Sequence, residues 1–335
     1  MKLKKTYIIA GVIFSILVVS LVLIHKAFSG KNIYISSGFE RSVMIKVDHT
    51  ETKLSEVVVH ISSIAAEYEN LFGPSVWEDE MDGVAFEDYI INEVKTKLTR
   101  MKCMDQVAIT RGIVLSNQEE ANIKKAASEY LAGVDKESIR KYNLTQSEVA
   151  EMYRSMLLAD KLYQYMTENV DREFSEDDAR VISIQYIKTD SLGAAQLIEE
   201  RIKAGTSFSS LIKENNSYEY EYELRRGETE EAFETAAYRL ATGEVSAPVE
   251  CSDGVYIILC VNDYDKAKTT ENKQRMIDEY KLANFNAVFD EYEAGVYAEY
   301  NEKLWDSLDS TSRLTVTTDF QGIYDRYFAT TTVEE

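Results

Sequence analysis

Proline is almost absent from this chain of 335 residues, with only Pro74 and Pro248 present. So few helix breakers suit a helix-rich body. Cysteine is scarce as well. Cys103, Cys251 and Cys260 are too few and too scattered for a disulfide framework, and they form no C-x-x-C pair for zinc. Cys251 and Cys260 either meet across a hairpin or stay as buried free thiols. The histidines, His25, His49 and His60, lack metal-ligand spacing, and neither a P-loop nor a G-x-G-x-x-G occurs. No metal and no cofactor are expected. Positive charge is short too: 37 Lys and Arg face 58 Asp and Glu, a net charge of -21. That excludes a nucleic-acid partner, which needs clustered cations for phosphates. The acidic runs Glu78–Asp82 and Glu228–Glu231 read as solvated faces or helix-start charge.

What is present is a globular composition, 45% hydrophobic and 28% charged, behind one long apolar run. Lys2, Lys4 and Lys5 precede an uninterrupted apolar stretch from Tyr7 to Ile24. That length spans a bilayer as a helix. The basic flank puts the N-terminus in the cytoplasm and the body outside. The competing reading is a cleaved signal peptide with Ala27 and Ser29 at the cleavage site; the length of the run favours a retained anchor.

After the anchor, Val43, Ile45 and Val47 alternate as a short strand. From Leu54 the apolar spacing becomes helical, through Val57, Val58, Ile61, Ile64, Ala65, Tyr68 and Leu71, and Gly73-Pro74 ends it. A second helix is predicted over Phe86 to Val107. Ser116 with Glu119 marks a third by a capping box, and Leu144, Thr145, Glu148 and Val149 mark a fourth, running to about Glu168. Near the C-terminus a helical pattern over 268–308 carries Met276, Tyr280, Phe285, Val288, Phe289 and Tyr292 as its buried side. Leu314, Val316 and Thr318 then alternate as a strand that pairs near Ile45. The stretches FEDYIINEVKTKL, GIVLSNQEEANIKKAASEYL and LTQSEVAEMYRSMLLADKLYQYM, within residues 50–170, resemble the N-terminal chaperone domain of SurA- and PrsA-like foldases. The resemblance implies a discontinuous helical body that the C-terminal segment completes.

Between these segments the pattern changes. Ile182, Ile184 and Tyr186 alternate with polar residues as a half-buried strand. A helix over Leu192 to Ala204 stops at Gly205, and AGTSFSSLIKEN supplies a short one with Phe208 and Leu211. A helix then runs from about Glu230 to Leu240, before an extended VSAPV, a turn at Ser252–Gly254 and a strand over Val255–Val261. The YEYEYE run from Tyr218 to Glu223 alternates as a strand would. Arg226, Gly227, Phe233, Ala236 or Ala237, Leu240, Gly243, Glu244, Ser246, Pro248, Val249, Gly254, Ile257 and Ile258 stand in the pattern of parvulin-type peptidyl-prolyl isomerases (PpiC, rotamase). That resemblance covers about residues 178–263 and implies a β-α-α-α-β-β domain.

In the family, two histidines and an Asp or Cys flank an apolar proline pocket. By that resemblance the first histidine position falls on Tyr186, with Gln185 one residue away, and the second on Tyr256. The Asp/Cys region falls near Ser217 or Tyr218 and the pocket Met on Thr229. The pocket Phe persists as Phe233, and Leu224 joins Phe233, Thr229 and Ser217 on the substrate side. Lowering a barrier of about 18–20 kcal/mol requires binding the twisted peptide better than the planar one. Tyrosine hydroxyls do not reproduce an imidazole pair that titrates near neutral pH. The alternative for Tyr186 and Tyr256 is that of ordinary core aromatics on strands.

The expectation is an α+β chain: a membrane anchor at 1–28, a helical chaperone-like segment at 29–176 and a parvulin-like domain at 177–264. A C-terminal helix and strand at 265–329 and a tail at 330–335 complete it. The expected function is a single-pass, cell-membrane, extracytoplasmic chaperone binding unfolded or newly exported polypeptides, with little or no isomerase activity. A homodimer is compatible with this. One alternative is an active isomerase with a non-standard site around Phe233, Tyr186 and Tyr256. The other is a structural or adaptor subunit of an envelope complex. Proline-isomerisation rates, aggregation suppression with unrelated clients and co-purification with one partner separate the three.

Overall fold

The computed structural model describes residues 38–81, 83–215 and 221–328. The apolar run Tyr7–Ile24 and the tail 330–335 lie outside them, and among the described residues no helix is long and apolar enough to cross a membrane. The chain divides into two compact units, one formed by residues up to Glu168 and from Phe285 on, the other by Asn169–Asn284.

The first unit opens with a hairpin, β1 (Val43–Val47) and β2 (Thr50–Lys53), in which Val47 faces Thr50. Helix α1 (Leu54–Phe72) follows and buries Val57, Val58, Ile61, Ile64 and Tyr68. Gly73, at φ +83°, takes the chain out of the helix, and Pro74 begins a single 3₁₀ turn. A small hairpin, β3 (Glu80–Met81) and β4 (Val84–Ala85), leads into α2 (Phe86–Thr110). Helices α3 (Asn117–Ala132) and α5 (Gln146–Thr167) start at complete capping boxes, Ser116 with Glu119 and Thr145 with Glu148. Between them α4 (Lys136–Tyr142) is capped by the Asp135 carboxylate. The core of this unit lies among α1, α2, α3 and α5, with Tyr130, Tyr153, Phe86 and Leu98 fully enclosed.

The second unit contains α6 (Glu176–Ala179), β5 (Ile182–Thr189), α7 (Leu192–Lys203), α8 (Phe208–Asn215), β6 (Tyr222–Leu224), α9 (Glu231–Tyr238), β7 (Val249–Cys251), β8 (Gly254–Asn262) and the start of α10 (Lys266–Glu293). Its antiparallel sheet has the order β6-β5-β8-β7. The observed order of elements is therefore β-α-α-β-α-β-β, and the edge strand β6 takes up the end of the YEYEYE run that alternates as a strand would. Among the described residues Tyr222–Leu224 pair there with Ile182–Ile184 of β5.

The chain re-enters the first unit along α10 and adds β9 (Ala298–Tyr300), α11 (Glu302–Trp305) and α12 (Phe320–Phe328). Two expectations are corrected here. The helix predicted over 268–308 ends at Glu293, just before Gly295, and of its predicted buried side Val288 and Tyr292 are exposed. The strand that pairs with Ile45 is β9, through Tyr300, while Val316 makes only a bridge with Val134. The reason is local anchoring: the Asn301 N–H donates to the Met44 carbonyl at 3.0 Å, and the Trp305 indole donates to the same oxygen at 3.1 Å. On α12, Phe320 stacks on Tyr153 at 4.5 Å and meets Tyr130 and His60 edge-on.

Several ionisable groups are buried in this unit. Lys102 donates to Glu56 at 2.9 Å with both side chains enclosed. His60 and Glu93 are buried with no hydrogen-bond partner among the described residues. Burial holds the His60 imidazole well below its ordinary range, and nearby Lys97 and Lys102 push the same way.

Candidate functional site

The sheet of the second unit has two different faces. Ile187, Val255 and Ile257 point to one side, where Ala195 and Ile198 of α7 and Phe208, Leu211 and Ile212 of α8 cover them. Ile182, Ile184, Leu224 and Ile258 point to the other, under Phe233, Ala237 and Tyr238 of α9. Strand alternation fixes which residues can share a site. Tyr186 lies opposite Ile258 and therefore faces α9. Gln185 lies opposite Leu259 and belongs to the α7–α8 face. Of the two candidates for the first position, Tyr186 is the one that joins Phe233.

Tyr186, Phe233 and Tyr256 form a closed aromatic triangle. Tyr186 meets Phe233 with centroids 5.8 Å apart at 87°, and Tyr256 at 5.5 Å and 67°. Phe233 meets Tyr256 at 5.1 Å and 84°. Each contact is edge-to-face, the arrangement the ring quadrupoles favour. Phe233 is 6% exposed, whereas Tyr186 is 37% exposed, so Phe233 is the floor and Tyr186 the rim.

The triangle is held from both sides. The Glu230 carboxylate, just before α9, accepts from the Ser252 N–H at 2.9 Å and the Ser252 hydroxyl at 2.8 Å. This ties the start of α9 to the β7–β8 turn. Before that helix, Gly227 at φ +80° donates its N–H to Glu234 at 2.6 Å. Arg226 bonds the Asp177 carboxylate at 2.7 Å and lies 4.1 Å from the Tyr238 ring centre. The Tyr238 hydroxyl in turn reaches the carbonyls of Arg180 and Leu224, at 2.8 and 3.0 Å.

The Tyr256 hydroxyl is also engaged. It donates to Asp253, lying 3.0 Å from both carboxylate oxygens, and Lys188 pairs with the same Asp253 at 2.6 Å. Burial, and then the Asp253 carboxylate, push this phenol above its ordinary range, so it stays protonated. Lys188 and its hydrogen bond hold Asp253 below the usual carboxylate range. This hairpin contact was missed in the sequence, although the turn and Asp253 three residues before Tyr256 were both legible there.

The remaining expected residues divide. Leu224 is fully buried in the cluster that holds Phe233. Thr229 is half-buried on the turn before α9, and its hydroxyl has no hydrogen-bond partner among the described residues. Ser217 and Tyr218 lie outside the described residues. Cys251 and Cys260 are both free: Cys251 faces Gly254 across the hairpin and Cys260 faces Ile184. Among the described residues no cluster of His, Cys, Asp and Glu is arranged to hold a metal. An open groove of about 620 Å³ lies in the same unit between Arg172, Phe174, Arg226 and Met276, and none of the three rings lines it. Around Phe233 there is thus packed aromatic surface and a carboxylate–phenol contact, with no imidazole on either strand position.

Residues 1–163 match the SurA-like N-terminal domain family, and residues 160–274 match the PPIC-type PPIASE domain family. The chain is similar to the foldase protein PrsA of Caldanaerobacter subterraneus subsp. tengcongensis, 28% identical over 208 residues, which cover 58% of this chain and 66% of that protein. It is 30% identical to foldase protein PrsA 2 of Listeria innocua over 175 residues, 42% of this chain and 60% of that one. The chain thus spans less than two thirds of the length of these relatives. Among solved structures, the PrsA peptidylprolyl isomerase of Bacillus cereus aligns over 89% of this chain and 98% of its own, at 13% identity and a TM-score of 0.37.

Proposed function

We propose, from the premise that this is a SurA/PrsA-like chain joining a SurA-like N-terminal domain to a PPIC-type domain, that it is a membrane-anchored extracytoplasmic chaperone. Its clients are unfolded or newly exported polypeptides, and its PPIC-type domain holds peptide without isomerising it. The relatives carry the name foldase, which supports the client class. The apolar run Tyr7–Ile24 behind Lys2, Lys4 and Lys5 supports the anchor and its orientation.

One observation carries the inactive domain: Tyr186 and Tyr256 close on Phe233 and on each other. An isomerase gains rate only from contacts made better with the twisted amide than with the planar one. Such contacts need a ring-sized space at Phe233 and polar groups free to reorganise beside it. Here tyrosine edges fill the space over Phe233, and the Tyr256 hydroxyl is committed to Asp253. Removing them to admit a prolyl ring would expose apolar surface before any binding occurs.

The test is cis/trans exchange of a prolyl tetrapeptide followed by NMR with the full chain in detergent, beside suppression of aggregation of two unrelated unfolded proteins. Suppression without accelerated exchange is expected. Acceleration that disappears in Phe233→Ala would overturn the inactive domain. Failure to suppress aggregation would overturn the chaperone.

A further inference from the structure

The groove beside Phe174 and Met276 carries charge that the aromatic triangle does not use. Six charged side chains line it, three arginines and three carboxylates, and five of the six are engaged. Arg226 bonds Asp177 and stacks on Tyr238. Arg275 donates to the Asn272 side-chain oxygen at 3.1 and 2.8 Å and to Glu279 at 2.6 Å. Asn272, buried near the start of α10, itself donates to the Ala179 carbonyl at 2.8 Å and so fixes the direction of the Arg275 fork. Glu228 accepts from Arg225, and Asp178 closes the capping box of α6 with Ser175. Arg172 is the sixth. It is exposed, and among the described residues it makes no hydrogen bond and no ion pair. Its guanidinium lies instead over two rings, 4.8 Å from the centre of Phe174 and 5.2 Å from that of Tyr280. Those rings meet edge-on, 6.4 Å apart at 81°, and Phe174 is buried, so the corner under the guanidinium is fixed. Stacking occupies the flat face of a guanidinium and leaves the N–H fork on its edge. A cation that is held in place yet unpaired is preorganised for an anion from outside.

We infer that this groove captures the C-terminal carboxylate of a polypeptide that ends on an apolar residue, with Arg172 as the bidentate partner. The inference rests on the proposed client class only in taking the carboxylate to be that of a polypeptide. It needs no proline and none of the three rings of the triangle. A guanidinium fork matches a carboxylate with two parallel hydrogen bonds, each strengthened by charge. Phe174 and Met276 line the same groove and offer apolar surface beside that fork. At a chain end the carboxylate and the last side chain share one carbon, so one residue reaches both.

Size and charge limit what fits. A groove of about 620 Å³ holds a few residues of extended chain, not a folded domain. Asp171 and Glu173 flank Arg172 in the chain, and Asp178, Glu228 and Glu279 line the groove. One negative charge on Arg172 is therefore balanced, whereas a phosphate dianion or a run of acidic residues meets repulsion from these carboxylates. The pairing is exposed at its rim, so it weakens with salt.

The experiment is a titration of the full chain in detergent with acetyl-Ala-Ala-Leu bearing a free C-terminus, followed by saturation-transfer NMR. The comparisons are the same peptide as its C-terminal amide and acetyl-Ala-Glu-Ala amide, whose carboxylate is on an internal side chain. Inorganic phosphate is the competitor. Expected are binding of the free acid, at least tenfold weaker binding of both amides, and no displacement by equimolar phosphate. Arg172→Met should lose tenfold or more, and Arg172→Lys less, since it keeps the charge without the fork. Arg172 is exposed, so both variants should melt close to the wild type, and the amide comparison tests the site on unaltered protein. Equal binding of either amide, displacement by phosphate, or full binding by Arg172→Met overturns the capture site. Suppression of aggregation is measured in the same samples. Suppression without binding of the free acid overturns the groove alone, whereas Arg172-dependent binding without suppression overturns the chaperone alone.

Discussion

The ring of Phe233 stands edge-on to that of Tyr186, with centroids 5.8 Å apart and planes at 87°. Phe233 also belongs to the buried cluster of Ile182, Ile184, Leu224 and Ile258, so it is packing material as much as site. Phe233→Ala should destabilise the domain by about 3–5 kcal/mol, the usual loss for a buried phenylalanine. Prolyl exchange should stay at the uncatalysed rate in both proteins. Urea denaturation of the pair checks the first outcome, and exchange NMR below the transition checks the second.

Tyr256→Phe removes the hydroxyl that donates to Asp253 and leaves the ring in place. Asp253 keeps Lys188, so the expected loss near neutral pH is small, about 0.5–1 kcal/mol. The pH dependence is more telling. Burial and Asp253 raise the Tyr256 phenol in the folded state, so its stabilising contribution is present below about pH 10 and lost as pH rises through the folded value. The gap between the two proteins should narrow at alkaline pH. A constant gap from pH 8 to 11 in thermal melts would contradict the Asp253 contact.

What could be read in advance was what short-range physics specifies. The capping boxes at Ser116 and Thr145 gave their helices, because both halves of the motif lie within four residues. That Tyr186, Tyr256 and Phe233 would lie together was legible because alternation fixes the face of a strand, given the resemblance. The misses depend on distant partners or on very short elements. Strand β9 pairs with β1 across more than 250 residues, and nothing near Ala298 announces it. Hairpin β3–β4 has two residues on each side. Helix α4 did carry a signal, its Asp135 cap, but its seven residues give too little periodicity.

Lys102 and Glu56 form a buried pair at 2.9 Å, with Asp105 near enough to act on the same ammonium. Glu56→Ala leaves a buried cation that has lost its hydrogen-bonded carboxylate and keeps only the weaker pull of Asp105 and Glu151, and should destabilise the first unit by about 3 kcal/mol. The double variant Glu56→Leu with Lys102→Met should recover most of that loss, since a buried pair replaced by apolar groups is often neutral. Urea midpoints of the wild type and both variants test this. A double variant less stable than Glu56→Ala would show that the pair does more than compensate itself.

Glu93 and His60 give the first unit opposite pH limits. Glu93, on α2, is pushed up to about 7 from 4.5 chiefly by burial; Lys97 of the same helix opposes this, and Glu67 of α1 adds to it. Glu67 is itself raised by burial, with Asp319 and Asp325 acting from the C-terminal segment. The folded state therefore favours neutral Glu93, and that contribution is present below about pH 4.5 and lost as pH rises through about 7. His60 is held low by burial and by Lys97 and Lys102, so its contribution is present above pH 6.5 and lost as pH falls below it. Glu93→Gln should then stabilise the protein at pH 8 by about 2–3 kcal/mol, because each tenfold change in proton affinity between the folded and unfolded chain is worth about 1.4 kcal/mol. The same substitution should change little at pH 4. His60→Leu should do the reverse, protecting most at pH 5. Denaturant melts of the three proteins at pH 4, 5 and 8 measure both differences. A Glu93→Gln effect of equal size at pH 4 and 8 would mean that the carboxyl is not the group that titrates.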